Sequence, residues 1–360
     1  MADLPMFESL EIKSRLRAYS VHFTNDFRSE VRRFVAADAF FIVDREVARL
    51  YLSSEQQIIP VERMLLVEAT EPNKTLHFSM DLIQGLIEKG VKRSSSVVAI
   101  GGGVVQDLTS FLCSILFRGV TWHFIPTTLL AQADSCIGGK SSINFGKAKN
   151  LLGTFNPPES IYIDTAFLFS LPVDEIKSGI GEILHYYFYK NTPKITDLAE
   201  SYAALLDDRS LLREHIEESL SIKKELVEID EFDKGPRRLF NYGHTFGHAL
   251  EAMTDYKINH GQAVTLGMDL ANYVSLNLGF LSSDQYHTMS SILRLNSPDF
   301  SLEKYALDEY FRYLSLDKKN TSSKVTCILS RGLAELFVHQ IELNATTTGI
   351  IEAFFREKYP

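Results

Sequence analysis

The chain has 360 residues, of which 45% are hydrophobic and 23% charged, with a net charge of -9 at pH 7. This length allows two domains with substantial cores, and the acidic balance disfavours non-specific binding to nucleic acid. No secretory signal or apolar run long enough to span a bilayer is evident, and the three cysteines lack metal-binding spacing. We therefore predict a cytoplasmic globular protein, with an enzyme as the leading class and neither nucleic-acid nor membrane partners.

Short apolar runs alternate with segments of helical periodicity through the first half of the chain. This alternation predicts a parallel sheet within an α/β domain. The predicted strands are 39–44, 63–70, 95–103 and 120–128, and the predicted helices between them are 46–52, 77–90 and 104–119.

The pattern changes near residue 172, beyond which long amphipathic stretches dominate. Residues 210–230, 243–255 and 261–280 are predicted helices. We predict an α/β domain over residues 1–172 and a mostly α-helical domain over residues 173–360. The default expectation is an active site in the cleft between the two domains.

A glycine cluster, AIGGGVVQDL, follows the predicted strand at 95–103 and opens the next predicted helix. Glycines in this position let a backbone approach a phosphate at a helix N-terminus. A tight strand-to-helix turn explains them equally well. The pattern is not the G-x-G-x-x-G dinucleotide fingerprint.

Residues 117–150 combine cationic and hydroxyl side chains with glycines in an otherwise apolar segment. Lysines beside glycines are hard to explain there as a solvated face, so we predict an anion site for phosphate or carboxylate. Its cations are Arg118, Lys140, Lys147 and Lys149, and its other donors are Thr127, Thr128 and Asn150.

Three histidines form the third pattern of chemical interest. His244 and His248 have i, i+4 spacing in NYGHTFGHALE, and His260 lies beyond that predicted helix. Glu182 is an ionisable residue in a small, apolar helical context. Neutral imidazoles and a carboxylate are typical zinc ligands, so these residues indicate a metal site, although a catalytic pair or core packing remains open.

These motifs together resemble the 3-dehydroquinate synthase family and the wider sugar phosphate cyclases. The similarity runs from about Asp44 to Lys319, with the motifs in the same order and at nearly the same spacing. The motifs are GGGVVQD, RGVTWHFIPTTLLAQADSCIGGKSSIN, KN at 149–150, GIGEI, GPRRLFNYGHTFGHALE, HGQAV and DKK.

The resemblance implies an N-terminal NAD-binding α/β domain, a C-terminal helical domain, and a homodimer. It also implies one catalytic divalent metal, zinc or cobalt, with Glu182, His244 and His260 as ligands. The residues implied for NAD are Asp44, Glu71, Lys74, Gly102, Gly103, Asp107, Thr127, Thr128, Asp134, Lys140, Lys149, Phe167 and Ser170.

The resemblance further implies a sugar phosphate substrate with two anionic ends. Its phosphate would contact Arg118, Lys140, Asn150, His248 and a lysine of DKK, which we take as Lys319. Its carboxylate would contact Lys223 and Arg237, with Asn241 nearby, since a guanidinium fork matches a carboxylate.

The implied reaction converts 3-deoxy-arabino-heptulosonate 7-phosphate to 3-dehydroquinate and phosphate in the shikimate pathway, with NAD regenerated in each turnover. A paralogous cyclase acting on another sugar phosphate, such as sedoheptulose 7-phosphate, is the alternative. A metal-dependent polyol or alcohol dehydrogenase is a further one, which the cation-rich segment and GPRR speak against. A binding-only cyclase is disfavoured by the intact metal residues.

Three positions depart from the family pattern. His185 replaces the usual lysine after the metal glutamate, which predicts weaker or pH-dependent substrate anchoring because imidazole is mostly neutral at pH 7. Gln106 lies where the pyrophosphate loop is expected. Gln262, in HGQAV, replaces a carboxylate expected to support a metal ligand.

Overall fold

The computed structural model describes residues 8–52, 58–146, 148–190, 192–316 and 324–359. The chain forms two compact units. Met1–Leu171 together with Arg209–Phe232 form the first, and Pro172–Asp208 together with Asp233–Pro360 form the second. The chain thus leaves the first unit beside the predicted boundary at residue 172, but it also returns, so residues 209–232 do not belong with the helical unit as predicted.

The first unit is built on a seven-stranded sheet of order β1-β2-β9-β6-β5-β3-β4. Strands β1 and β2 pair antiparallel, and the remaining neighbours pair parallel. Strands β7 and β8 form a separate antiparallel hairpin. The strands are β1 Ser9–Ile12, β2 Tyr19–Phe23, β3 Phe40–Asp44, β4 Met64–Val67, β5 Ser96–Gly101, β6 Thr121–Pro126, β7 Ile143–Phe145, β8 Ala148–Leu152 and β9 Ser160–Ile163.

The central strands explain the apolar runs of the sequence. Parallel strands are usually covered on both faces, so nearly every side chain is apolar. The first four residues of β3 and residues 97–101 of β5 are all buried. Four predicted strands are confirmed as β3 to β6, whereas β1, β2, β7, β8 and β9 were not predicted.

Helices account for most of the remaining described residues, and no described helix is long and apolar enough to cross a membrane. In chain order they are α1 Phe27–Ala36, α2 Arg45–Val47, α3 Leu76–Glu88, α4 Gly103–Ile115, α5 Val173–Lys190, α6 Lys194–Asp207, α7 Leu212–Ile229, α8 His244–Met253, α9 His260–Asn277, α10 Ser283–Leu295, α11 Leu307–Leu316 and α12 Ala345–Lys358. The predicted helix over 46–52 consists of α2 followed by a wider π-type turn, Ala48–Leu52.

Helix α7 belongs to the first unit because of contacts that sequence periodicity does not reveal. The Ser219 hydroxyl donates to the carbonyl of Ala133 over 2.8 Å. The Lys223 ammonium donates to the backbone carbonyl and the side-chain Oδ1 of Asp134, both over 2.7 Å. These bonds attach α7 to the turn that follows β6 in the first unit.

Helix α9 is the centre of the second unit. Residues 261–275 are all buried, as expected for a helix surrounded on all sides, and α9 packs against α5, α8, α10, α12 and the strand β10, Lys324–Ser330. Strand β10 pairs antiparallel with β11, Leu336–Glu342, in a hairpin that was not predicted.

Glycines let α5 and α9 approach each other closely. A Cβ on Gly181 would lie 2.0 Å from the carbonyl oxygen of Gly261, and a Cβ on Gly261 would lie 1.7 Å from the carbonyl oxygen of Ser178. Neither distance is sterically possible, so only glycine permits this helix crossing. The Gly261 N–H also donates to the Ser178 hydroxyl over 3.1 Å.

We expect Gly261→Ala to lower the free energy of unfolding by about 3 kcal/mol, because the added methyl must push α5 and α9 apart. Urea unfolding followed by circular dichroism measures this change. Gly349→Ala is the matched control, since Gly349 lies in α12 with no atom within 4 Å of an added Cβ, and it should be neutral or stabilising by up to about 1 kcal/mol. Equal stability of the two variants would contradict the close crossing.

Candidate functional site

The sheet of the first unit has a topological switch point at β3. The chain passes from β3 to β4 on one side and then to β5 on the other. Ligands of open α/β sheets bind at the carboxyl ends of strands at such a point. Asp44 ends β3 and Gly101 ends β5, so the predicted NAD residues Asp44, Gly102 and Gly103 lie at this edge.

The carboxylate of Asp44 is well placed for a polar ligand contact. Its Oδ1 accepts a hydrogen bond from the Glu46 N–H over 2.8 Å, which caps α2. Burial raises the pKa of Asp44 above its ordinary value, partly offset by backbone hydrogen bonds from Glu46 and Val47. A partly desolvated carboxylate at a strand end is stabilised when a ligand hydroxyl donates a hydrogen bond to it.

The two glycines after β5 have different roles. A Cβ on Gly102 would lie 2.8 Å from Cγ2 of Thr128, so this glycine is needed for the tight turn. A Cβ on Gly103 would meet nothing within 4 Å, and Gly103 is the first residue of α4. The structure thus explains Gly102 as part of a tight turn. Phosphate binding at Gly103, where a helix N-terminus has open space beside it, stays a prediction.

A buried lysine organises a second group of predicted residues, which we call the lysine network: Glu71, Lys74, Asp107, Ser142 and Asn150. Lys74 is 6% exposed, and its ammonium donates to Asp107 Oδ2 over 3.0 Å and to Asn150 Oδ1 over 2.8 Å. Burial lowers the pKa of Lys74, but Asp107 and Glu71 outweigh it, and the net shift is upward. Asn150, predicted to contact the substrate phosphate, therefore lies beside predicted cofactor residues.

The other residues predicted for NAD have mixed surroundings. Lys149 Nζ lies 3.8 Å from Glu71 Oε1, and the backbone N–H of Thr127 donates to Gly101 over 3.0 Å. The Phe167 ring packs in the core, 4.4 Å from the Phe27 ring, so its side chain is not placed to contact a nucleotide. Ser170 accepts from the Tyr51 hydroxyl over 2.7 Å.

Arg118 lies in a strained segment of the first unit. Phe117 and Arg118 both have left-handed backbone conformations, with φ of 51° and 64°. The side chain of Arg118 is exposed, and it makes no ion pair or hydrogen bond with any other residue that the structure describes. Strain that holds an exposed cation is a feature of ligand-binding positions. Lys140, which is also predicted to contact the substrate phosphate, is exposed and pairs with Phe155 in an isolated antiparallel β-bridge.

The second unit brings the three predicted metal ligands, Glu182, His244 and His260, close to His248 and Glu251. We call these five residues the histidine cluster. Glu182 Oε1 lies 3.3 Å from His260 Nε2 and 3.6 Å from His244 Nε2. These atoms come from α5 and from the first residues of α8 and α9. Ligand atoms of Glu182, His244 and His260 all lie within 4.8 Å of one another, which is compatible with a shared ion.

The chemistry of this donor set fits a divalent cation. Glu182 is 3% exposed, and its Oε1 makes no hydrogen bond with the described residues. Nδ1 of His244 lies 3.2 Å from the Tyr242 carbonyl, so a proton there leaves Nε2 with a lone pair. Burial lowers the pKa of His260, but Glu251 and Glu182 raise it well above its ordinary value, which shows how strongly this pocket attracts positive charge.

The two histidines of the H-x3-H pair have different surroundings. His248 is exposed, with its ring 5.5 Å from that of His244 and 5.6 Å from that of His260. It therefore lies next to the ligands and open to solvent, as expected for a substrate contact. His248, Glu251 and His260 form a second group that could hold an ion.

The remaining predicted substrate residues are distributed over both units. Arg237 is buried in the turn Pro236–Asn241 of the second unit. In the same turn the side-chain amide of Asn241 donates to the backbone carbonyl of Arg238 over 2.9 Å. Lys223 belongs to the first unit and is paired with Asp134. Lys319 lies outside the described residues.

The structure describes the surroundings of two of the three family departures, His185 and Gln106. His185 is 1% exposed and is enclosed by the rings of Tyr186, Phe240 and His244 at 5.0, 5.5 and 5.3 Å. It packs against His244, a predicted metal ligand. The weaker or pH-dependent substrate anchoring expected at this residue stays a prediction. Gln106 is buried and exchanges two hydrogen bonds of 2.6 Å with Ser135, and so it braces the turn after β6.

Sequence reasoning missed several residues of these clusters. Ser142 donates through its N–H and hydroxyl to Asp107, over 3.0 and 2.7 Å. Asn144 connects Glu71 with the backbone N–H of Asn150. Glu251 faces His260, and its spacing of seven residues from His244, two helical turns, was a signal that could have revealed it.

The fold and the two clusters define a class of protein: one with a nucleotide-binding type of α/β sheet and, in its second unit, a glutamate and two histidines that could hold a metal ion. Comparison with known proteins identifies the family. The family descriptions "3-dehydroquinate synthase N-terminal" and "3-dehydroquinate synthase C-terminal" match residues 64–178 and 179–320. The chain belongs to the 3-dehydroquinate synthase family, and the resemblance expected from its motifs is confirmed.

Similar proteins cover nearly the whole chain. A 3-dehydroquinate synthase of Thermoanaerobacter pseudethanolicus is 33% identical over 347 residues, covering 93% of this chain and 97% of that protein. One from Dictyoglomus thermophilum is 38% identical over 309 residues, covering 84% of each. The solved structure of 2-deoxy-scyllo-inosose synthase with carbaglucose-6-phosphate, NAD+ and Co2+ matches with a TM-score of 0.84 at 24% identity, covering 96% of this chain and 99% of that one, which confirms the predicted fold class.

Replacing His185 by the lysine usual in the family should destabilise this protein. We expect His185→Lys to lower the free energy of unfolding by about 3 kcal/mol, because an ammonium would be buried among aromatic rings. Urea unfolding measures the change, with His287→Lys on the exposed face of α10 as the control, expected within about 0.5 kcal/mol of wild type. A stable His185→Lys protein would contradict the enclosed position of this ring.

Proposed function

We propose that the protein is a 3-dehydroquinate synthase that converts 3-deoxy-arabino-heptulosonate 7-phosphate to 3-dehydroquinate and inorganic phosphate, a step of the shikimate pathway. The observation that carries this proposal is the convergence of Glu182, His244 and His260 beside the exposed His248. Membership of the 3-dehydroquinate synthase family supports the substrate.

Two cofactors belong to the proposal. The switch point with Asp44, Gly102 and Gly103, together with the lysine network, would hold NAD, and the histidine cluster would hold one divalent metal, zinc with cobalt as a substitute. When bound, NAD supplies reversible hydride transfer and the metal supplies Lewis acidity at a ring hydroxyl. The solved structure of 2-deoxy-scyllo-inosose synthase is a complex with the same pair of groups, NAD+ and a divalent ion, Co2+.

The protein's own residues would bind and orient the two anionic ends of the substrate. Arg118 and Lys140 are exposed cations suited to a phosphate. Arg237 suits the carboxylate because its guanidinium fork matches two carboxylate oxygens. Lys223, which lies 2.7 Å from Asp134, is the second cation proposed for that end. His248 can exchange a proton with the bound substrate through its ring nitrogen. Catalysis would rest on positioning and charge stabilisation.

Three broader statements complete the proposal. We infer a homodimer, a cytoplasmic location, and a small-molecule substrate without a nucleic-acid partner. The family motifs support the first of these. The net charge of -9 and the scarcity of cysteines, three in 360 residues, support the other two.

A phosphate-release assay tests the proposed activity. Protein loaded with Zn2+ or Co2+ and supplied with NAD+ should release one phosphate per molecule of 3-deoxy-arabino-heptulosonate 7-phosphate and form the carbocycle, without net accumulation of NADH. Glu182→Gln should abolish release, because it removes the anionic ligand. Sedoheptulose 7-phosphate and glycerol serve as comparison substrates.

Each other outcome points to a different activity. Phosphate release from sedoheptulose 7-phosphate alone would assign a sister cyclase activity. Stoichiometric NADH from glycerol, with no phosphate release from either sugar, would assign a dehydrogenase.

Arg118→Gln should raise KM for the sugar phosphate about 10- to 100-fold, because it removes a charge-assisted hydrogen bond to phosphate. Initial rates of phosphate release measure this change. Arg93→Gln provides the control, since Arg93 is also an exposed arginine without a partner among the described residues, and its KM should stay at the wild-type value. Equal KM values for the two variants would remove Arg118 from the phosphate site.

A further inference from the structure

The two ring nitrogens of His260 face two different carboxylates. Nε2 lies 3.3 Å from Glu182 Oε1, and Nδ1 lies 3.2 Å from Glu251 Oε2. Glu251 comes from α8, the same helix that carries His244 and His248. One helix therefore contributes a metal ligand, an exposed imidazole and a carboxylate behind the other histidine ligand.

Helix α8 does not by itself stabilise the carboxylate of Glu251. It lies in the last turn of α8, which ends at Met253, where a carboxylate opposes the helix dipole. Its side chain is also 11% exposed, so it forgoes most of its hydration. A buried anion at this end of a helix requires a compensating partner, and His260 Nδ1, 3.2 Å from Glu251 Oε2, is such a partner when it carries the ring proton.

The two histidine ligands differ in what lies behind them. Nδ1 of His244 faces a neutral backbone carbonyl, that of Tyr242, at 3.2 Å. Nδ1 of His260 faces an anion. A carboxylate behind a ligating histidine fixes the ring orientation and makes the other nitrogen a stronger donor than a carbonyl does.

We propose that Glu251 is the positioning residue of the metal centre: it orients His260 and strengthens the bond from His260 Nε2 to the metal. This proposal rests on the metal site of the proposed function. It places the supporting carboxylate on α8 at residue 251, whereas the HGQAV motif has only the amide of Gln262 at the position where a carboxylate was expected.

A second ion held by His248, Glu251 and His260 is the competing interpretation of the same atoms. The two interpretations are exclusive, because Nδ1 of His260 cannot donate a proton to Glu251 and bind an ion at once. The proton-donating arrangement is favoured because Nδ1 and Oε2 are at hydrogen-bond distance and because the second group is completed by the exposed His248, whereas the first is built on the buried Glu182.

Glu251→Gln tests the proposal, because glutamine keeps the size of the side chain and removes its charge. The full-length protein is stripped of metal, and Zn2+ affinity is measured by competition with a chromophoric chelator. The expected result is a 10- to 100-fold larger Kd for Zn2+ with one ion per chain. The visible spectrum of the Co2+-loaded variant should also change, since the orientation of His260 alters the ligand field.

Glu217→Gln is the matched control. Glu217 is a helical glutamate whose side chain is 8% exposed, in the first unit, paired with Arg213. Its loss should reduce thermal stability while leaving the Kd for Zn2+ unchanged, which separates a general structural effect from a metal effect.

Two results would overturn the proposal. One is an unchanged Kd and Co2+ spectrum in a folded Glu251→Gln protein. The other is two ions per wild-type chain falling to one in the variant, which would assign Glu251 to a second metal site. Wild-type protein that binds one Zn2+ tightly but releases no phosphate would refute the proposed function while leaving this test intact.

Discussion

The close crossing of α5 and α9 is the constraint on which the metal centre depends. Gly181 and Gly261 meet there at a separation that no other residue allows. Each of these glycines is followed or preceded by a metal-ligand candidate, Glu182 and His260. The distance of 3.3 Å between those two side chains is therefore set by backbone contact between helices. Because interiors are tightly packed and resist small shifts, this crossing keeps the donors together.

Charge then decides what the pocket can hold. Two carboxylates, Glu182 and Glu251, approach one imidazole from opposite sides. A buried anion is stable only with a positive or proton-donating partner, and a divalent ion with a protonated Nδ1 provides both. His185, buried behind His244, adds packing without a permanent charge.

In the first unit, the order of the strands brings the predicted cofactor residues together. Asp44 and the glycines 101–103 come from distant parts of the chain, and the parallel pairing of β3 with β5 places them at one edge. The lysine network joins Lys74, Asp107 and Asn150 across more than 70 residues of sequence. Its buried ion pair and hydrogen bonds hold that edge in one arrangement, as a site for a large cofactor requires.

The sequence by itself determined the α/β class of the first unit, strands β3 to β6, helices α8 and α9 of the second unit and the metal-ligand candidates. It could do so because doubly covered strands are continuous apolar runs and because buried helices and glycine turns leave local patterns. Only the tertiary structure decided that residues 209–232 join the first unit, that His185 is enclosed, and that Glu251 faces His260. Those features depend on which distant surfaces meet, and the periodicity of a single segment carries no information about its partner.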